Sequence, residues 1–148
     1  MAAKRKATSA PVGGREDLLV RVEDAQREAG CVSEGFIFET AQTLGLPVSE
    51  VYGVTTFYSF LSVKPLGRNV IRVCKSVPCY LKHSEMIIEN VQKVLGISPG
   101  ATTPDGRFSF ELTNCIGACD KAPAMLINDE VHGHLTPEKI GEILRSYK

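Results

Sequence analysis

Two short stretches, "CKSVPC" and "CIGAC", hold four of the five cysteines: Cys74 and Cys79 in the first, Cys115 and Cys119 in the second. The first spacing, C-x4-C, is too wide for a thioredoxin-type dithiol, which reads C-x-x-C. Together the pairs read C-x4-C, thirty-five residues, then C-x3-C, and four thiolates brought to one place suit a metal centre. A tetrahedral zinc is one candidate, although zinc pairs usually sit on tight two-residue loops. Loops of four and three residues better suit a wider object, with one pair on each iron of a [2Fe–2S] rhombus. Unligated or redox-active thiols are the third candidate. Pro78 and Gly117 permit tight backbone paths, and Ser76, Val77, Gly117 and Ala118 offer N–H groups that could face sulfur. Such donors, and cations such as Lys75 and Lys121, would stabilise the reduced state and raise its potential. All-cysteine centres of the plant type start low, near about −400 mV. Cys31 has no close cysteine partner and is expected to be a small buried hydrophobe.

For four cysteines to meet, the elements before each pair must end at one place. "NVIRVC" is a β-branched strand ending at Cys74, and Phe108, Phe110 and Leu112 alternate as in a half-buried strand leading to Cys115. Both pairs therefore follow strands, and neighbouring strands lie about 5 Å apart. Between them "SEMIIENVQKVLG" predicts an amphipathic helix with Ser84 as N-cap, Ile88, Val91 and Leu95 on one face, and Gly96 at its end. "TPDG" marks a turn, and "AMLI" and "VHGHL" flank Asn128-Asp129 as a hairpin. Thr136 and Pro137 open a last helix that buries Ile140, Ile143, Leu144 and Tyr147. The order β-α-β-β-β-α fits a small mixed sheet covered by two helices, as in thioredoxin-like folds.

Upstream the periodicity is helical. Leu18, Val22, Ala25 and Ala29 share one face, closed by Gly30; a second helix follows Ser33 with Ile37, Ala41 and Leu44, ending at Gly45. Ser49 predicts the cap of a third, with Val51, Val54, Tyr58 and Leu61 on its face. The aromatic cluster Tyr52, Phe57, Tyr58 and Phe60 is expected in the core of this subdomain, an interaction surface being the alternative. The chain thus divides into a disordered tail over 1–14, a helical bundle over 15–63 and a sheet domain over 68–148.

Composition narrows the class. Hydrophobic residues make up 43% and charged residues 23% of 148, enough for a packed core. Seventeen basic side chains balance seventeen acidic ones, which argues against a general nucleic-acid binder. No apolar run approaches a membrane span, and the basic start "MAAKRKATSAPVGG" lacks the apolar segment of a secretory signal. A soluble cytoplasmic protein without membrane insertion is expected, where thiols stay reduced. There is no Gly-rich dinucleotide fingerprint after a strand and no hydrolase elbow or zinc-protease motif, so NAD chemistry and substrate pockets are expected elsewhere.

"GVTTFYSF", "KPLGRNVIRVCKSVPC", "TTPDGRFSFELTNCIGACDKAPAMLIND" and "HLTPEKI" resemble the thioredoxin-like [2Fe–2S] subunits of NADH dehydrogenases and of NAD(P)-linked hydrogenases and formate dehydrogenases. The resemblance runs from about Arg15 to the C-terminus. It implies an α+β fold, with a small N-terminal helical bundle followed by a thioredoxin-like ferredoxin domain. It implies that Cys74, Cys79, Cys115 and Cys119 ligate one [2Fe–2S] cluster. It also implies docking on a flavoprotein that carries FMN and binds NAD(H), within a complex of further iron–sulfur and hydrogenase, formate dehydrogenase or complex I subunits. The chain would transfer electrons and have no active site of its own. The absence of a C-terminal extension, and "GHLTPEKIGEILRSYK", are taken to favour the soluble hydrogenase or formate-linked members, electron-bifurcating ones among them, over the respiratory enzyme. Where many relatives carry glycine this chain has His83, expected to be a solvated loop histidine. His132 and His134 are expected on one strand face as ordinary surface residues. A zinc-stapled scaffold and a thiol oxidoreductase using Cys74 and Cys79 stay as alternatives of other classes.

Overall fold

The computed structural model describes residues 13–147; most of the expected tail lies outside them. The chain forms two compact units that divide between Pro65 and Leu66.

The first unit is helical, with α1 (Leu18–Ala29), α2 (Glu34–Leu44) and α3 (Val48–Phe57). Gly30 and Gly45 end the first two in the left-handed conformation, and the Ser33 hydroxyl accepts the Phe36 N–H to cap α2. Leu18, Val22, Val32, Ile37, Ala41 and Val51 form the core. Val32 N–H donates to Ser62 O, and Ser62 N–H to the Gln26 side chain, which brings the segment after α3 back to the bundle. The third helix departs from expectation. Pro47, not Ser49, stands at its N-cap, since proline's fixed φ and missing N–H suit a helix start. It stops at Phe57, before Tyr58 and Leu61. The aromatic cluster is not core: Tyr52, Phe57, Tyr58 and Phe60 are all exposed, Phe57 at 79%.

The second unit contains β1 (Asn69–Cys74), α4 (Val77–Tyr80), α5 (Ser84–Leu95), β2 (Ala101–Thr102), β3 (Phe108–Thr113), β4 (Met125–Ile127), β5 (Glu130–His132) and α6 (Pro137–Ser146). The strands form one mixed sheet in the order β2-β3-β1-β4-β5, with β1 and β3 parallel and the other pairs antiparallel. Ile71, Val73, Phe108, Phe110, Met125 and Ile127 meet Ile87 and Val91 of α5 and Ile140 and Leu144 of α6 in a single core. Both helices therefore cover the same sheet face. On the alternate positions the register partners Arg72 and Glu111 form an ion pair at 3.0 Å.

Helix α5 also starts differently from the sequence expectation. Its N-cap is His83, at φ +63, and Ser84 is the buried first residue. Ile87 and Val91 carry the buried stripe, with Ile88 and Leu95 at its margin. The short elements α4 and β2 have no counterpart in the sequence expectation.

Candidate metal centre

The positions of the cysteines follow from the register of the parallel pair. Cys74, the last residue of β1, lies opposite Thr113, the last residue of β3. Two parallel strands that stop together release their loops from the same edge of the sheet. Lys75 N–H donates to Thr113 O at 2.9 Å, which holds the two exits side by side. The second loop then returns at the same edge, where Cys74 N–H donates to Ala124 O at 3.2 Å just before β4. All four cysteines lie in the segments leaving this edge.

Within it the pairs differ. Cys74 is 1% and Cys79 2% exposed, and they pack with Ala124 against Ile116, Ala118 and Ala122. That contact joins the "CKSVPC" loop to the "CIGAC" loop directly. Pro78 in the first turn of α4 costs no helical hydrogen bond, and α4 carries Cys79 inward. Cys115 and Cys119 are exposed, with sulfurs 3.3 Å apart. Gly117 makes their loop possible: its φ is +81, a conformation that side chains disfavour, and its N–H donates to Cys115 Sγ at 3.4 Å. Cys119 opens a 3-10 turn, Cys119–Lys121, which is fastened by His134 N–H donating to Lys121 O at 2.7 Å. Gly133 passes so close that a Cβ there would lie 2.9 Å from Lys121 O.

The electrostatics follow the burial. Burial pushes the Cys79 thiol up to about 11, and the neighbouring Cys74 and Cys119 sulfurs act in the same direction against the Ala124 N–H that Cys79 accepts. Cys115 is pulled below the ordinary thiol value by the Gly117 N–H and then by Cys119. Cys119 is raised by its bond with Cys115, and Cys74 also acts on it. These mutual effects link the two pairs. Of the N–H donors read from the sequence, Gly117 faces sulfur; Ala124 is a donor that the sequence did not suggest.

Among the described residues no three His, Cys, Asp or Glu side chains are gathered tightly enough for a single metal ion. The inner sulfurs are buried beside Ile116, Ala118, Ala122 and Ala124, and the outer ones are exposed. This donor set fits a binuclear group with two thiolates at each iron.

The remaining candidates do not join the site. Cys31 is half-buried in the turn after α1 rather than fully buried. His83 is exposed, and its φ of +63 is a left-handed conformation that favours glycine. His132 and His134 do not share a strand face: β5 ends at His132, and His134 has φ +49. His132 Nε2 lies 2.8 Å from the Tyr147 hydroxyl, which donates to Glu130. A groove of about 750 Å³ within the helical unit is lined by Ile37, Phe38, Val48 and Tyr52 with Glu34 at its rim, a lining without metal-binding character. No helix among the described residues is long and apolar enough to cross a membrane.

Comparison with known proteins agrees with this architecture. A family model described as thioredoxin-like [2Fe–2S] ferredoxin matches residues 3–148. The chain is 48% identical over 123 residues to an NADH-quinone oxidoreductase subunit of Salmonella typhimurium, covering 83% of this chain and 74% of that protein. It is 44% identical over 122 residues to the like-named subunit of Pseudomonas aeruginosa, with coverage of 82% and 74%. A solved NAD+-reducing [NiFe]-hydrogenase structure superposes with a TM-score of 0.76 at 24% identity, over 88% of this chain and 22% of that one. A likeness at that identity shows the fold alone.

Proposed function

The chain belongs to the thioredoxin-like [2Fe–2S] ferredoxin family, and from that premise we propose that it is the [2Fe–2S] electron-transfer subunit of an NADH-quinone oxidoreductase. The observation that carries the reading is the joint ending of β1 and β3 at Cys74 and Thr113, which sends both cysteine loops from one sheet edge. Cys74, Cys79, Cys115 and Cys119 would hold the cluster, two at each iron. Bound there, the cluster supplies one-electron transfer. The chain's own contribution is to fix the sulfurs and tune them. The Gly117 and Ala124 N–H groups donate toward sulfur, which favours the more negative, reduced charge state. Ile116, Ala118, Ala122 and Ala124 keep water from the inner pair.

The parent complex is the finer part of the reading. The preference for a soluble hydrogenase or formate dehydrogenase is revised. The relatives at 48% and 44% identity belong to NADH-quinone oxidoreductases, whereas the hydrogenase likeness speaks to fold only. The partner that the family resemblance implies is a flavoprotein holding FMN and binding NAD(H), and membership of the family and the NADH-quinone oxidoreductase relatives support that reading. Anaerobic purification tests the cluster: a brown chain is expected, with visible bands that bleach on dithionite reduction and a paramagnetic signal from the reduced form. A colourless, zinc-loaded chain would overturn the reading in favour of a stapled scaffold. The co-purifying proteins decide the complex, and a hydrogenase or formate dehydrogenase catalytic subunit among them would reverse the revision.

A further inference from the structure

Cys115 and Cys119 are both exposed, and their sulfurs already lie 3.3 Å apart. A disulfide requires about 2.05 Å, so the gap to close is on the order of an ångström. The intervening loop has room to adjust, because a Cβ at Gly117 would meet nothing within 4 Å. The inner pair is placed differently, with Cys74 and Cys79 at 1% and 2% exposure behind Ile116, Ala118, Ala122 and Ala124. Cys31 has no cysteine neighbour in its turn.

We propose that in the cluster-free chain the exposed pair is a peroxide-sensitive thiol switch, in which Cys115 and Cys119 close a disulfide while Cys74 and Cys79 stay reduced. The chemistry balances with hydrogen peroxide as oxidant. One thiolate of the pair attacks a peroxide oxygen, the O–O bond breaks, and hydroxide leaves and is protonated to water. The resulting sulfenic acid is attacked by the second sulfur; its S–O bond breaks, a second water leaves, and the S–S bond forms. Two thiols lose two electrons in total, and peroxide becomes two waters. Selectivity comes from access, since a water-borne oxidant meets the outer pair and is kept from the inner one by the apolar wall. The closed pair cannot ligate iron, so cluster loading stops until a dithiol reopens it. That consequence rests on the four cysteines being the ligands; the disulfide itself does not.

The test uses the full cluster-free chain, purified anaerobically in reduced form, treated with one equivalent of hydrogen peroxide, alkylated and digested with trypsin. Cleavage after Arg107 and Lys121 leaves Cys115 and Cys119 on one peptide, whereas cleavage after Arg72, Lys75 and Lys82 separates Cys74 from Cys79. The expected result is a 108–121 peptide that has lost two hydrogens and carries no alkyl group, beside singly alkylated 73–75 and 76–82 peptides. No disulfide, a bridge between the 73–75 and 76–82 peptides, or a bridge between the two pairs overturns the proposal. Iron and sulfide reconstitution provides the second arm. The oxidised chain should regain less than about a tenth of the visible absorption of the reduced chain, and dithiothreitol should restore it; unimpaired loading by the disulfide form overturns the switch. Failure of the reduced chain to load would instead overturn the ligand assignment, with the disulfide judged by its own map.

Discussion

The two cysteine pairs do the same proposed job from opposite environments. Cys74 is the last residue of a central strand and Cys79 rides a short helix, both sealed in an apolar pocket. Cys115 and Cys119 stand on a glycine-bearing loop open to solvent. The inner pair gains precision at Cys74 from the sheet, where hydrogen bonds from Cys74 N–H to Ala124 O and from Lys75 N–H to Thr113 O fix the strand end on both sides. The outer pair gains access, at the cost of protection. A site built this way has a fixed floor and an open side, which suits a group that must be installed after folding and must then pass electrons outward.

Substitution should separate the pairs most sharply. Cys74→Ser and Cys79→Ser bury a hydroxyl in an apolar pocket and should each cost about 1–3 kcal/mol in the cluster-free chain. Cys115→Ser and Cys119→Ser should stay within about 0.5 kcal/mol, as exposed changes do. Urea denaturation measures both, and equal costs would break the comparison. All four variants should lose the visible chromophore on reconstitution or bind it weakly.

Gly133→Ala asks whether the outer pair has any fixed support. Its Cβ would press on the Lys121 backbone and shift the turn that begins at Cys119, costing about 1–3 kcal/mol. Lower thermal stability together with reduced cluster retention is expected; unchanged retention would mean that this clamp does not matter to the site.

The pH dependence of alkylation should rank the thiols. Cys79 is held up at about 11 by burial, so its labelling should rise only as the pH approaches that value. Cys115 is lowered, chiefly by the Gly117 N–H, and should label at lower pH. The signs for stability are opposite. The raised Cys79 contributes stability that is complete below the ordinary thiol value and is lost as pH climbs through about 11. The lowered Cys115 contributes above its ordinary value and loses that contribution as pH falls. Coincident labelling curves would remove the distinction between inner and outer pairs.

The smallest effect is expected at His83. Replacing it by glycine relieves a left-handed backbone cost of about 1 kcal/mol, partly offset by the chain entropy of glycine. A net gain below about 1 kcal/mol should appear in melting, with the cluster spectrum unchanged; a spectral change would place His83 at the site.

Much of the candidate centre was legible in the sequence because it is written in local terms. Cysteine spacing, the β-branched run before Cys74 and the alternation before Cys115 identify two loops that follow strands. The parts that were missed depend on partners distant in the chain. Ala124 became a donor because β4 returns beside β1, and Gly133 became a clamp because β5 leads the chain back over Lys121. The aromatic residues around Phe57 looked like core, since a hydrophobicity pattern does not say which face finds a neighbour. Strand β2 is two residues long, too short to show a period.

The sequence by itself determined the candidate donor set, its division into two pairs and the glycine and proline punctuation of their loops, because these are properties of residue type and spacing. Only the tertiary structure decided that both loops leave one end of the sheet and that one pair is sealed while the other is open. Register between strands thirty-nine residues apart, as between Arg72 and Glu111, is set by cross-strand pairing and by packing of the sheet against its helices. No local pattern carries that information.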